Sequence, residues 1–151
     1  MMDRPSPTIH ASAVLTGARA VLIRGPAGSG KSRLVLALLE AAQAGRLRFA
    51  RLVADDRTHL DAVNGRLIVW PPSALAGLLE VHGLGIVRLP FESVGAVGLV
   101  VDLAAPDGDR LPPAESRMAV IEGVPVRRLP VAPGADAPRL TVAALMAEGA
   151  V

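Results

Sequence analysis

The sequence predicts an α/β domain with a mixed sheet, in which strands are many and helices few. Short apolar runs separated by Gly- and Pro-containing turns outnumber the segments with helical spacing. Hydrophobic residues make up 51% of the 151 residues but aromatic residues only 2%, so Ala, Val, Leu and Ile must build the core. One apolar run passes through a glycine-rich loop into an amphipathic segment. This combination favours an α/β sandwich over a regular parallel, doubly wound sheet.

The length suits one domain over residues 1–151, since domains commonly have about 100–150 residues, and we expect 1–7 to be a frayed tail. A first helix is predicted over Lys31–Ala44, where Leu and Val recur at helical spacing, with Gly45 ending it. The Asn64-Gly65 pair between two alternating runs predicts a hairpin. The predicted strands are Ile9–Leu15, Arg19–Arg24, Arg48–Ala54, His59–Val63, Arg66–Trp70, Ile86–Leu89, Gly95–Leu103, Met118–Ile121 and Val124–Val131.

Two shorter helices complete the prediction. One is expected over Ala74–Leu79, and the other over Val142–Glu148 with Thr141 as its cap. Glu80–Gly85 is expected to be a tight connection, and Ala105–Ala114 an exposed loop rich in Pro, Asp and Gly.

Charge and composition exclude several classes of protein. The formal net charge is +2 and the arginines are scattered, so we expect no nucleic-acid partner. The absence of cysteine excludes disulfides, thiolate zinc sites and cysteine nucleophiles. The N-terminal sequence has no apolar signal-like region, and the most apolar stretch, Val94–Leu103, is too short to span a bilayer. We therefore expect a cytoplasmic protein without a membrane partner.

A phosphate-binding loop is the most specific motif in the sequence. The segment GPAGSGKS fits G-x-x-x-x-G-K-[ST] in full, follows an apolar run and opens the first predicted helix. Its backbone N–H groups can cradle phosphate oxygens, and the helix N-terminus favours the same anion. The pattern predicts binding of a nucleoside triphosphate such as ATP with Mg²⁺, through Lys31 on the phosphates and Ser32 on the metal. The nucleotide-binding residues are Gly25, Pro26, Ala27, Gly28, Ser29, Gly30, Lys31 and Ser32.

Acidic residues downstream of the loop can supply the chemistry. Asp55 and Asp56 end the strand that follows the loop's helix, which places them near the γ-phosphate. One carboxylate can act as general base toward an attacking hydroxyl and the other can hold the water shell of the metal. Glu80, between a leucine pair and a Gly-rich turn, is a candidate second magnesium ligand.

Several motifs together resemble one family. TIH near the start, GPAGSGKS, LVADD, PP ahead of LLEVHGLGI, then VPV and LPVAPG are similar to the catalytic domain of HPr kinase/phosphorylase, over about Thr8 to Gly134. The resemblance implies a phosphoenolpyruvate-carboxykinase-like fold. It also implies phosphorylation of a serine in HPr, the phosphocarrier protein of the phosphotransferase system, or in a paralogue of it. Many members also remove that phosphate with inorganic phosphate.

The resemblance also implies roles for individual residues. Lys31 would act in catalysis as well as in binding, and Ser32 with Glu80 would hold the magnesium. Asp55 is the first choice for the general base, with Asp56 as the alternative. His10 falls on the family's active-site histidine. Arg110 falls on a catalytic arginine that would offset charge on the transferred phosphoryl group.

The sequence also departs from the family pattern. His82 replaces an arginine, and Ala135-Asp136 stand where the family has Arg-Asn, a region linked to the phosphorylase activity. We also expect the long form's N-terminal domain and full C-terminal helices to have no counterpart here. We therefore expect kinase activity with weak or lost phosphorylase activity, and a homo-oligomer as an option. Two alternatives are a catalytically weak, nucleotide-sensing regulator and a small-molecule kinase on the same scaffold.

Overall fold

Eleven strands and two α-helices make up residues 7–147, the part of the chain that the structure, a computed structural model, describes. Two single-turn 3-10 segments, Ser73–Leu75 and Ala114–Arg117, lie between them. The strands are Thr8–Ile9 (β1), Ala11–Thr16 (β2), Arg19–Arg24 (β3), Arg51–Ala54 (β4), Thr58–Val63 (β5), Arg66–Trp70 (β6), Leu78–Val81 (β7), Gly85–Arg88 (β8), Gly95–Asp102 (β9), Met118–Ile121 (β10) and Val124–Pro130 (β11). The helices are Lys31–Gln43 (α1) and Ala137–Met146 (α2).

Nine of the strands form one mixed sheet in the order β1-β5-β6-β9-β3-β2-β4, with β11 also pairing with β9, and β10 with β11. β3 is parallel to β9 and antiparallel to β2, and β2 is in turn antiparallel to β4. The carboxyl ends of β3, β4 and β9 therefore meet the amino end of β2 at one edge of the sheet. This edge carries the residues discussed below.

The central strands are buried on both faces of the sheet. Along β3, Ala20 and Leu22 contribute to one apolar cluster, while Val21 and Ile23 contribute to the other, because successive side chains point to opposite faces. α1 covers the second face with its buried side chains Leu34, Val35 and Leu38. A strand that is covered on both sides reads as a continuous apolar run, as RAVLIR does.

The strand-rich α/β architecture is confirmed, as are several of its elements. β3 has the predicted bounds. α1 ends at Gln43, one residue before the predicted end, and Gly45 follows with φ 79° while its N–H donates to Ala42 O. The hairpin of β5 and β6 forms around Asn64-Gly65, whose φ angles of 52° and 75° suit a two-residue turn.

The predicted helix over Ala74–Leu79 is wrong. Only the 3-10 turn at Ser73–Leu75 forms, and the chain then enters β7, which pairs with β8 as a separate two-stranded hairpin. Gly77 has φ 77° and its carbonyl accepts a hydrogen bond from Leu89 N, so its backbone pairs with the neighbouring strand and does not continue a helix. Glu80 consequently lies in a strand and not in a tight connection.

The last helix begins earlier than predicted. Asp136 caps α2 by accepting a hydrogen bond from Arg139 N over 3.1 Å, and Pro138 suits the first turn. Thr141, the predicted cap, is buried inside the helix. Of the frayed tail expected over 1–7, only Pro7 is among the described residues. Glu148, the expected end of the last helix, lies outside them.

Two smaller differences concern strands. The first predicted strand is interrupted at His10, which separates β1 from β2, and β4 begins at Arg51 and not at Arg48. Within residues 7–147, no helix combines the length and apolar character needed to cross a lipid bilayer.

Candidate active site

The loop Gly25–Ser32 joins β3 to α1 at the sheet edge. Gly30 adopts a left-handed conformation with φ 102° immediately before the helix, and Ser29 N donates to Pro26 O over 3.0 Å. The first turn of α1 carries no acidic side chain. The unpaired N–H groups of this helix start therefore favour an anion, as phosphate-binding loops require.

An added side chain at Gly25 would force its neighbours to shift. A Cβ atom at this position would stand 2.5 Å from Ser29 Oγ and 3.0 Å from Leu103 Cβ. The first glycine of the motif is thus required by packing between the loop and the residue that follows β9.

Lys31 is drawn back over the loop that precedes it. Its Nζ donates to Gly25 O over 2.8 Å and to Pro26 O over 3.1 Å, and the residue is only 6% exposed. The ammonium group therefore lies at the loop, where a phosphate group would compete with these carbonyl oxygens.

Asp55 connects the loop to the end of β4. Its Oδ1 accepts hydrogen bonds of 2.8 Å from both Ser12 Oγ and Ser32 Oγ, and its Oδ2 accepts a longer one, 3.4 Å, from Glu80 N. The residue is 8% exposed. Asp55 is thus the point at which β2, β4, β7 and the phosphate-binding loop meet.

Asp56 lies beside Asp55 but in a different environment. Its side chain is 63% exposed, and its Oδ1 lies 2.6 Å from His10 Nε2. The backbone turns tightly here, because Arg57 N donates to Asp55 O over 2.8 Å while Asp56 has φ 68°. Positive φ is uncommon for residues other than glycine, and such conformations concentrate at functional sites.

Glu80 and Arg110, the remaining predicted residues, have fewer contacts with the other site residues. The exposed Glu80 reaches Asp55 through its backbone N–H, which brings β7 to the site. Arg110 lies in the exposed loop after β9, and within the described part of the chain it forms no hydrogen bond or ion pair with the other site residues. Across residues 7–147, no three His, Cys, Asp or Glu side chains cluster as a metal site would. A magnesium ion here would have to rely on phosphate oxygens for ligands, which is usual for Mg²⁺.

An ion-pair network that the sequence did not reveal adjoins the loop. Asp102, at the end of β9, accepts hydrogen bonds from Arg24 Nε over 2.8 Å and from Arg128 Nε over 2.6 Å. Arg128 also donates to both carboxylate oxygens of Asp107, over 2.7 and 3.0 Å. Arg24 directly precedes Gly25, so the network fixes the strand from which the loop departs.

The charges of this network are mutually stabilised. Burial would raise the pKa of Asp102, but hydrogen bonds from Arg24 and Arg128 outweigh it and hold that pKa below its ordinary value of 3.8. The hydrogen bond from Arg128 likewise lowers the pKa of Asp107. The pKa of Arg128 is raised, chiefly by its hydrogen bonds with Asp107 and against the effect of burial.

Ser12 is a second residue that the sequence did not single out. A lone serine in an apolar strand carries no motif, and its partners lie 43 and 44 positions further along the chain. Only the antiparallel pairing of β2 with β4 brings them together.

The fold and the loop define an α/β domain with a P-loop motif and a pair of aspartates beside that loop. Comparison with known proteins narrows this class. The chain is 33% identical over 143 residues to HPr kinase/phosphorylase of Clostridium tetani. This alignment covers 86% of this chain and 44% of that protein. The chain is also 35% identical over 160 aligned positions to HPr kinase/phosphorylase of Xylella fastidiosa. This second alignment covers 93% of this chain and 47% of that protein.

The fold agrees with these sequence relatives. The solved structure of the HPr(Ser) kinase/phosphatase from Coxiella burnetii matches with a TM-score of 0.73 and 29% identity, over 92% of this chain and 93% of that chain. No protein-family model matches the chain. The resemblance to HPr kinase/phosphorylase is therefore confirmed in sequence and in fold. The chain spans less than half the length of the two sequence relatives.

Proposed function

We propose that this protein is an ATP-dependent protein serine kinase that phosphorylates HPr, or a paralogous phosphocarrier protein. The observation that carries the proposal is the hydrogen bond from Ser32 to Asp55, which places a buried carboxylate directly beside the phosphate-binding loop. The names of the homologous proteins, HPr kinase/phosphorylase and HPr(Ser) kinase/phosphatase, supply the acceptor.

The residues present fit ATP and magnesium. Ser29 Oγ is buried in the loop without a hydrogen-bond partner among the described residues, and a phosphate oxygen would satisfy it. Lys31 already lies at the loop, and Ser32 and Glu80 are the side chains that would hold the metal. Bound magnesium would neutralise part of the phosphate charge.

Asp55 is the proposed general base. Its Oδ1 is occupied by the hydroxyls of Ser12 and Ser32, whereas Oδ2 has only the long bond from the Glu80 amide among the described residues. Oδ2 can therefore take the proton of the acceptor serine as its oxygen bonds to the γ-phosphorus. The bond from that phosphorus to the bridging oxygen breaks, and ADP leaves.

Positive charge next to the transferred group would assist this step. Lys31 at the loop and Arg110 from the loop after β9 would offset the charge that develops on the phosphoryl oxygens. In phosphoryl transfer, most of the catalysis comes from positioning and from electrostatic stabilisation of this kind. Asp56 with His10 is the alternative base, since its carboxylate is exposed and paired with an imidazole.

The proposal is tested by measuring ADP release from Mg-ATP with and without HPr. Release that depends on HPr supports the kinase. Tight ATP binding without ADP release would favour the nucleotide-sensing regulator, and release that depends on a metabolite would favour a small-molecule kinase. The expected weakness of phosphorylase activity is tested separately, with phosphoserine-HPr and inorganic phosphate. A cytoplasmic location and a homo-oligomer stay predictions.

A further inference from the structure

Ser12 is a fully buried hydroxyl at the amino end of β2. Burying a hydroxyl costs free energy unless it is hydrogen-bonded. Among the described residues, both hydrogen bonds of the Ser12 hydroxyl go to the aspartate pair: its Oγ donates to Asp55 Oδ1 over 2.8 Å and accepts from Asp56 N over 3.2 Å. We propose that Ser12 is a positioning residue that orients both aspartates for phosphoryl transfer, an inference that rests on the proposed function.

The first bond fixes which oxygen of Asp55 receives the proton. Because Ser12 and Ser32 both donate to Oδ1, the carboxylate is held from two sides and Oδ2 is left for the acceptor hydroxyl. Without Ser12, the hydrogen bonds from the described residues to the Asp55 side chain are those from Ser32 Oγ and the long one from Glu80 N. Ser32 is also a proposed magnesium ligand, whereas no metal-binding role is proposed for Ser12.

The second bond fixes the turn that carries Asp56. This turn holds Asp56 at φ 68°, a conformation that needs support from its surroundings. Ser12 supplies an acceptor for the Asp56 N–H within that turn. The exposed carboxylate of Asp56 is thereby held within 2.6 Å of His10. One hydroxyl therefore sets the geometry of both candidate bases.

Thr58 provides a matched control. It is also fully buried, and its Oγ1 donates to Ala11 O over 2.7 Å, one residue before Ser12. Neither aspartate is among its hydrogen-bond partners in the described residues. Thr58→Val therefore removes a buried hydroxyl from the same region without touching the aspartate pair.

The experiment compares Ser12→Ala, Ser12→Thr and Thr58→Val in steady-state phosphorylation of HPr. Loss of a hydrogen bond to a charged group predicts that kcat of Ser12→Ala falls roughly 10- to 100-fold, with KM for ATP little changed. Ser12→Thr keeps the hydroxyl and should restore most of kcat. Thr58→Val should keep kcat while losing thermal stability. Unchanged kcat in Ser12→Ala, or an equal loss of kcat in Thr58→Val, would overturn the proposal.

A second readout does not depend on activity. The Asp56 amide hydrogen should exchange with solvent faster in Ser12→Ala than in wild type, and at the wild-type rate in Thr58→Val. Unchanged exchange in Ser12→Ala would refute the role of Ser12 even if HPr is phosphorylated. If wild type does not phosphorylate HPr, the proposed function fails, and the exchange rate alone decides whether Ser12 holds the turn.

If Ser12→Ala does not fold, Ser12→Cys, a weaker donor, should give an intermediate kcat, and wild-type kcat there would count against the proposal.

Discussion

Ser32 Oγ donates a hydrogen bond to Asp55 Oδ1 over 2.8 Å, which joins the end of the phosphate-binding loop to the end of β4. The two residues lie 23 positions apart in sequence, with the rest of α1 and the strand β4 between them. If the proposed roles hold, metal binding by Ser32 and orientation of the Asp55 base depend on the same hydroxyl.

Ser32→Ala is expected to weaken both the magnesium dependence and the turnover. Loss of a metal-ligating hydroxyl that also donates to a carboxylate should lower kcat by at least about tenfold and raise the magnesium concentration needed for half-maximal rate. A magnesium titration of HPr phosphorylation measures this. Ser32→Thr keeps the hydroxyl, as the motif allows, and should stay active. If Ser32→Ala had the wild-type magnesium dependence, Ser32 would not be a metal ligand.

Asp55→Asn is expected to keep ATP binding while lowering turnover at least about a hundredfold, the usual scale for a lost general base. The amide is close to isosteric with the carboxylate but is a far weaker base. Single-turnover transfer to HPr, together with calorimetric ATP binding, separates the two effects. Asp56→Asn is the matched variant and should lose less turnover than Asp55→Asn. The reverse order of losses would assign the base to Asp56 and His10.

Gly25→Ala is expected to abolish nucleotide binding, because its Cβ would lie 2.5 Å from Ser29 Oγ and 3.0 Å from Leu103 Cβ. The loop would have to move to relieve these contacts. Gly17→Ala is the control: this glycine in the turn between β2 and β3 has φ 73° but no neighbouring atom within 4 Å of an added Cβ. It should cost only about 1 kcal/mol of stability and leave ATP binding intact. Equal ATP affinity in both variants would contradict the packing argument.

Asp102→Asn is expected to lower the free energy of unfolding at neutral pH by about 2 kcal/mol, since hydrogen bonds to a charged group are lost. The pKa of Asp102 is depressed in the folded state, so its contribution is fully present above the ordinary value of 3.8 and is lost as pH falls through the folded-state pKa. Denaturant unfolding from neutral to strongly acidic pH should therefore show wild type and variant converging at the acid end. Asp109→Asn, at an exposed carboxylate in the loop after β9, should change the free energy of unfolding little. Wild-type stability of Asp102→Asn at neutral pH would refute the network's role.

The local part of this structure could be predicted from the sequence, and the long-range part could not. The loop, α1 and the Asn64-Gly65 hairpin depend on residues within a few positions of each other, so their patterns indicate them directly. The strand β7 was missed because its pairing with β8, starting beyond Gly77, outweighs the weak helical tendency of the residues before it. The start of α2 was missed because Thr141 resembles a cap as much as Asp136 does.

The candidate site divides in the same way. Lys31, Ser32 and the aspartate pair stand in motifs, whereas Ser12 and the Arg24–Asp102 pair depend on which strands become neighbours. Arg24 and Asp102 are 78 positions apart, and only the parallel pairing of β3 with β9 aligns them. A single sequence carries no local sign of that pairing.

The proposed kinase activity is tested most directly by transfer of label from γ-labelled ATP to HPr in the presence of magnesium, with Lys31→Ala as the control. We expect label on a serine of HPr with the wild-type protein, and none with Lys31→Ala, because the variant lacks the ammonium group at the loop. Absence of labelled HPr with wild-type protein that demonstrably binds ATP would contradict the proposed activity.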